Sequence, residues 1–401
     1  MQTPEQKRRS LFMLMLVQLS TNFSMGIISP ILSLFIRSQG LSMTQIGLIG
    51  TSSMLGWFIW EPIMGIMTDR LNKRLLLASS LILTTILYGV YPLANSFLSF
   101  TVLEFIKTSV MSAYSIPVKS LAAELLPVQD RGRAYGRYTM IISFGGMISP
   151  LLGGYISELT SFSIPFYIAA FFGSLGVITV FSIKYDEQSR GVKSDQLKGI
   201  KNILSSSVLA IFSVRGIYFF NAGFTGSFLP IYLNESTRFT ASESQIGAFY
   251  TILRLVGAIF RSIIGDFCDK IGNNVIISAS LVGMGISYLG LMYLSGTYLM
   301  YLLGGLFGLF QAAADISMML QLISIMPKEQ SGLTMGLYSE SENIGGLIST
   351  PTLGYLYHNF GAHISLWLVT LIMFIDSIYS YKMILGKDSK DSSHNNRMCL
   401  Y

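Results

Sequence analysis

Apolar residues along this chain gather in long runs, each closed by a short polar break. A helical run of about 20 residues crosses the hydrocarbon core of a bilayer. Read this way, the pattern predicts spans near 11–36, 44–68, 75–95, 98–125, 134–157 and 163–184 (spans 1–6). Spans 7–12 follow near 206–233, 244–267, 274–294, 298–325, 332–357 and 363–385. Residues 185–205 are polar and too few for a domain. They predict a connector between an N-terminal six-helix bundle, 1–184, and a C-terminal bundle with a short tail, 206–401. Strict polar–apolar alternation, which a membrane β-barrel requires, is absent.

The second set of spans repeats the first. A shift of 200 residues places Gly26 and Pro30 on Gly226 and Pro230, and SMTQIG (42–47) on SESQIG (242–247). Pro127, Gly132, Gly136, Gly145, Gly146, Ser149, Gly154 and Tyr155 also meet identical residues. Glycine and proline carry the comparison, because they mark close helix approach or altered backbone. Six crossings return the chain to its starting side, so both copies enter the membrane from the same face. The expected fold is all-α and integral to the membrane, with twelve spans in two parallel six-helix repeats.

Composition agrees with a membrane setting. Of 401 residues, 51% are hydrophobic and 12% charged, against roughly 25% charged in soluble domains. Mean hydropathy is +0.55. The net charge of +6 reads as a topology signal. Twenty basic residues fall on the N-terminal side of the spans, and Arg37 and Arg238 alone on the other. Such an excess marks the cytoplasmic face. Both termini are therefore expected in the cytoplasm of a multi-pass plasma-membrane protein, whose partner is lipid and not nucleic acid. The first span follows Lys7, Arg8 and Arg9 without a small-residue cleavage pattern, so it reads as a retained helix.

Two polar knots, GIMTDRLNKR (65–74) and GDFCDKIGNN (265–274), stand 200 residues apart. The first resembles Gly-x-x-x-Asp-Arg-x-Gly-Arg-Arg, the loop signature of the major facilitator superfamily between its second and third helices. Gly65, Asp69, Arg70, Lys73 and Arg74 match it, while Asn72 stands where the family prefers glycine. The second copy keeps Gly265, Asp269, Lys270 and Gly272. PVQDRGRAYG (127–136) resembles the family's next cytoplasmic loop. GMISPLLGG (146–154) resembles the fifth-helix motif of drug–proton exchangers. The resemblance covers nearly the whole chain. It implies that Asp69 meets the start of span 11 near Gly332, and pseudo-symmetry then sets Asp269 at the start of span 5 near Arg133 and Gly136, as a cytoplasmic gate. An aspartate suits the partial positive charge of a helix N-terminus, and Gly65 would admit a close neighbour. Gly146, Pro150, Gly153 and Gly154 read as a hinge, since proline removes a backbone hydrogen bond and glycine permits bending. Plain close packing is the other reading of the same glycines.

Charge inside a bilayer is costly, so it marks a water-filled path or a function. Spans 1, 4, 7 and 10 hold Glu104, Lys107, Lys119, Arg215 and Asp315, with the amides Gln18, Asn22, Asn221, Gln311 and Gln321. Spans 2, 5, 8 and 11 hold Glu61, Arg254, Arg261, Glu340 and Glu342. Spans 3, 6, 9 and 12 hold only Asp376 and are expected to face lipid while the others line a cavity. Candidate substrate-cavity residues are Asn22, Lys107, Arg215, Asn221, Arg254 and Gln311. For Arg254, a structural pair with Glu340 or Glu342 is the alternative. Asp315 has no basic residue within a turn on its own helix and is the first candidate for a coupling proton. Glu340 and Glu61 are further candidates. A structural pair between Asp315 and Arg215 or Arg254 is the other reading. Glu104 and Lys107, three apart on one face, also read as a self-neutralising pair.

Two cysteines far apart offer neither a disulfide framework nor metal-ligand spacing. No Gly-rich phosphate loop or nucleophile–base signature occurs. No catalytic residue, cofactor or metal is expected. The expected function is transport, not catalysis: proton-coupled export of a small organic solute, by a monomer, as the family commonly works. Import or facilitated passage of an organic anion rests on Lys107, Lys119, Arg215 and Arg254. A non-transporting sensor of the same fold is the third reading.

Overall fold

The computed structural model describes residues 4–126, 131–183, 206–326 and 331–398. Every regular element among them is helical. Span 1 consists of α1 (Pro4–Ile28) and α2 (Ile31–Ser38). Spans 2–6 are α3 (Met43–Arg70), α4 (Lys73–Val90), α5 (Phe97–Leu125), α6 (Arg131–Leu159) and α7 (Ser163–Phe181). Span 7 joins α8 (Ser206–Gly223), a π turn (Phe224–Phe228) and α9 (Leu229–Glu235). Span 8 joins α10 (Glu243–Ile259) and α11 (Arg261–Ile271). Spans 9–12 are α12 (Asn273–Tyr293), α13 (Thr297–Ile325), α14 (Ser331–Phe360) and α15 (Ala362–Met398).

Among the described residues, eight helical segments are long and apolar enough to cross a membrane, and α10–α11, bent by 56°, makes a ninth. The helices α3, α5 and α14 match them in length at 28, 29 and 30 residues. Polar side chains dilute their apolarity, as helices beside a polar interior require.

The sequence repeat reappears as local structure. Span 1 breaks between Ile28 and Ile31, beside Pro30, and span 7 breaks into its π turn beside Gly226 and Pro230. At SMTQIG, Ser42 accepts from Gln45 N at 3.3 Å while Gln45 Oε1 accepts from Ser42 N at 2.9 Å. At SESQIG the same reciprocal cap recurs through Ser242 and Gln245, at 3.5 and 3.0 Å. Both spans thus start on a capping box, which satisfies orphan amides at a helix N-terminus. The two knots turn differently. Gly272 has φ +96, the left-handed region. Asn72 is extended at φ −67 and caps α4 instead, its Oδ1 accepting from Arg74 N at 2.9 Å and Leu75 N at 3.2 Å. Its departure from the family's glycine is a helix cap.

The chain's contacts form two compact units. The first comprises Met1–Lys193 with Gly226–Thr251, and the second Ser194–Thr225 with Ile252–Tyr401. The division falls inside spans 7 and 8 as well as in the connector, whose residues 185–205 lie outside the described ones. In the first unit, Leu14, Val17, Leu77, Leu81, Met111 and Leu121 make a core between α1, α4 and α5. Glycines set its close contacts. A Cβ at Gly145 or Gly153 would strike the backbone of Leu19 or Ile27 on α1. At Gly154 it would strike the backbone of Glu243, and at Gly247 the carbonyl of Pro150. Arg37 Nε reaches Glu235 at 2.6 Å, Ser244 N donates to Glu158 at 3.0 Å, and Leu151 N to Thr251 at 3.1 Å. The segment Gly226–Thr251 is thereby tied to α2 and the end of α6.

Candidate functional site

The second unit brings three charges together. Small residues make this possible: a Cβ at Gly345 on α14 would strike the carbonyl of Gly216 on α8, and one at Gly216 would lie 3.2 Å from Ser341 O. Helices that approach this closely bring Arg215, next to Gly216, within reach of α14. Its Nη2 is 2.7 Å and its Nε 2.8 Å from Glu342 Oε1. Its Nη1 donates to Asp315 Oδ1 on α13 at 2.6 Å. The guanidinium also lies over the rings of Tyr218, Phe219 and Tyr338, with centroids at 5.1, 4.8 and 5.0 Å. A planar, weakly hydrated cation suits such an aromatic cage. Arg215 is only 9% exposed, whereas the Asp315 side chain is 37% exposed.

The formal charge of this cluster is one positive and two negative. Uptake of one proton by either carboxylate would leave a neutral one-to-one pair. Asp315 therefore has the cation that its own helix withholds, contributed from 100 residues away. The expectation of a carboxylate without a cation is corrected by that contact, and the alternative pairing with Arg215 is the one found. Glu342, which the sequence offers only as a structural partner for Arg254, faces Arg215. Its signal in the sequence is the run SESEN (339–343), which places it three residues before Gly345, the contact point with α8.

The remaining candidates divide between the units. In the first, Lys107 binds Glu104, to which the Tyr91 hydroxyl also donates, so this pair is self-neutralising. Asn22 Nδ2 donates to Ile142 O at 2.7 Å and ties α1 to α6. Glu61 is half-buried on α3, and Lys119 is exposed on α5. In the second, Arg254 and Gln311 are half-buried, and Glu340 accepts from Asn343 Nδ2 at 3.3 Å. Asn221 is buried and accepts from the Tyr288 hydroxyl.

The knot residues sit as follows. Lys73 Nζ is buried between Glu124 at 2.5 Å and Ser120 at 2.7 Å, on α5. Arg74 donates to Phe181 O and stacks on the Phe181 ring on α7. These two cations therefore fasten α4 within its own bundle. Arg70, Asp269 and Lys270 are exposed. A Cβ at Gly65 or Gly265 would meet nothing within 4 Å among the described residues, so no close neighbour explains those glycines. Asp69, Arg133, Gly136 and Gly332, on which the gate expectation rests, lie outside the residues whose surroundings are described. In the hinge motif, α6 runs unbroken through Pro150, and Gly153 and Gly154 act as contact points.

The family model for the Major Facilitator Superfamily matches residues 14–304 and, again, 211–397. An uncharacterised transporter of that type from Methanocaldococcus jannaschii is 25% identical over 368 residues, covering 87% of this chain and 91% of that protein. The quinolone resistance protein NorA of Staphylococcus aureus is 26% identical over 162 residues, 40% of this chain and 41% of its own length. Among solved structures, a point mutant of the nucleoside transporter NupG superposes with a TM-score of 0.78 at 14% identity, over 94% of this chain and 98% of its own. A bacterial homologue of the lysosomal transporter Spinster, inward-facing and unoccupied, gives 0.77 at 14% identity, over 95% and 98%. At such identities the superpositions speak for the fold alone.

Proposed function

This chain belongs to the major facilitator superfamily, and from that membership we propose that it exports small, partly apolar organic molecules in exchange for protons. The observation that carries the coupling is the Arg215–Asp315–Glu342 cluster. Arg215 bridges Asp315 and Glu342, so a proton taken up at Asp315 would release one arm of that bridge. A cationic or strongly polar substrate could contend for the same carboxylate, and competition between the two for Asp315 is what exchange requires. The exposed side of Asp315 offers the access. Export is supported by GMISPLLGG and by the partial likeness to a quinolone resistance protein, which also directs the substrate reading to amphipathic organic molecules. In this reading the protein works as a monomer in the plasma membrane, built of two six-helix halves with both termini in the cytoplasm.

The anion-import reading loses support at two of its four cations, since Lys107 and Arg215 already hold carboxylates.

The test is transport in proteoliposomes under an imposed pH gradient, with lipophilic cations and organic anions as labelled solutes. We expect cation efflux tied to proton entry. Asp315→Asn should abolish pH-driven net transport and retain solute exchange at equal pH. Normal pH-driven transport by this variant removes Asp315 from the mechanism. Saturable anion uptake without proton dependence replaces the proposal with the import reading.

A further inference from the structure

Span 12 carries a carboxylate that the Arg215 cluster does not use. The helix α15 exposes Leu371, Ile375 and Ile378, as a lipid-facing span should. Asp376 lies on the opposite face with Met373, Ser377 and Ser380, and is 0% exposed. Neither of its carboxylate oxygens has a hydrogen-bond partner among the described residues. Around it, α12 and α15 are tied by Ser278 and Ser377, each hydroxyl donating to the other's carbonyl at 3.2 and 2.9 Å. Tyr379 meets Ser213 of α8 at 2.9 Å.

The internal repeat offers a candidate partner. The residue 200 positions earlier is Gly176, where a Cβ would lie 3.8 Å from Leu81, 3.8 Å from Thr21 and 3.9 Å from Ser20. Their counterparts in the second repeat are Leu281, Asn221 and Phe220. The repeat makes Asn221 the counterpart of Thr21, which packs at Gly176, and no hydrogen bond joins Asp376 to Asn221 among the described residues. That amide carries the complementary orphan: its Oδ1 accepts from Tyr288 and Thr225, while its Nδ2 has no partner among the described residues. Asn221 is also buried.

An ionised Asp376 would take the Nδ2 hydrogen on one oxygen, leaving the other bare and the charge uncompensated. A carboxylic acid resolves both faults. Its carbonyl oxygen accepts from Nδ2, and its O–H becomes a donor for a nearby carbonyl. The proton comes from water, and nothing is oxidised or reduced. We propose that Asp376, beside Asn221, is a proton-binding site in the core of the second unit, distinct from the Arg215 cluster. The helices packed on α15 bring other titratable groups, among them Tyr218 and Tyr338, whose hydroxyls have no hydrogen-bond partner among the described residues. Tyr288 of α12 is bound to Asn221, and Arg215 of α8 to Asp315 and Glu342. Tyr218 of α8 lies under that guanidinium, and Glu340 of α14 accepts from Asn343. The site stands whether or not the Arg215 cluster couples transport.

Infrared difference spectra of the full-length protein in lipid vesicles, between alkaline and neutral buffer, test this. We expect a carbonyl stretch of a protonated carboxylic acid that Asp376→Asn loses and Asp315→Asn retains. Asn221→Leu should shift that band to higher frequency, as the hydrogen bond from Nδ2 is lost. If Asp376→Asn keeps every acid band, or Asn221→Leu leaves the band unmoved, the proposal is wrong. The Asn221→Leu spectrum alone decides if Asp376→Asn does not accumulate. Sodium is the competing occupant. If added Na⁺ raises the melting temperature of wild type but not of Asp376→Asn, the site belongs to that ion and the proton assignment falls.

Discussion

Truncating Arg215 removes the guanidinium that joins Asp315 to Glu342 and lies over three aromatic rings. Breaking a buried ion pair from one side costs about 3–5 kcal/mol; the exposure of Asp315 puts this one at the lower end. We therefore expect Arg215→Ala to lower the thermal midpoint and abolish transport. Removing all three charges together, with Asp315→Asn and Glu342→Gln added, should restore most of the stability without restoring transport. An unchanged midpoint in Arg215→Ala would show that the cluster carries no structural load. At this scale the sequence is legible only along single helices. Glu104 and Lys107 can be paired because residues three apart share a face. Arg215 and Asp315 are 100 residues apart, and Arg215 and Glu342 are 127. No spacing rule reaches so far, so the absence of a cation near Asp315 on α13 carries no information about α8. The burial of Asp376 escapes the sequence for a related reason: a span can face lipid on one side and bury a carboxylate on the other.

Helix boundaries are more readable, because the groups that start a helix are local. Ser42 with Gln45, and Ser242 with Gln245, mark the starts of α3 and α10 just ahead of their apolar runs. Asn72 is the instructive case. A family pattern makes it look like a lost glycine, yet its side chain satisfies two amides of α4. Asn72→Ala should therefore cost roughly 1 kcal/mol of stability, and Asn72→Gly, which restores the family residue, only a few tenths. Chemical unfolding in detergent would check this. A gain on restoring glycine would mean that the turn, not the cap, is what position 72 controls. The glycines of α6 are legible as special positions but not in their role. Gly153 and Gly154 could equally serve bending or contact until the backbones of Ile27 and Glu243 are seen against them. The far end of α15, running to Met398, has no apolar signal to predict it.

Across the whole molecule, the repeat is visible because glycine, proline and capping residues keep their register for 200 positions. The grouping of Gly226–Thr251 with Met1–Lys193 is not, since it depends on contacts that no periodicity encodes. Gly154→Val should push that segment off α6. With Ser244→Cys as reporter, the thiol should then react faster with a membrane-impermeant reagent than in the Gly154 background. Equal rates would show that the contact at Glu243 is not what holds the segment. The same grouping has a bearing on biogenesis. A ribosome delivers the chain in order, so the first six spans enter the bilayer while their companion segment is still unmade. From Lys193 to Thr251 is 58 residues, about 3–12 s of synthesis at ~5–20 residues per second. Through that interval Gly154 lacks its contact with Glu243, Pro150 its contact with Gly247 and Arg37 its ion pair with Glu235. The nascent protein is thus most open to mispairing or degradation midway through its own translation, and a pause in that window would prolong the danger.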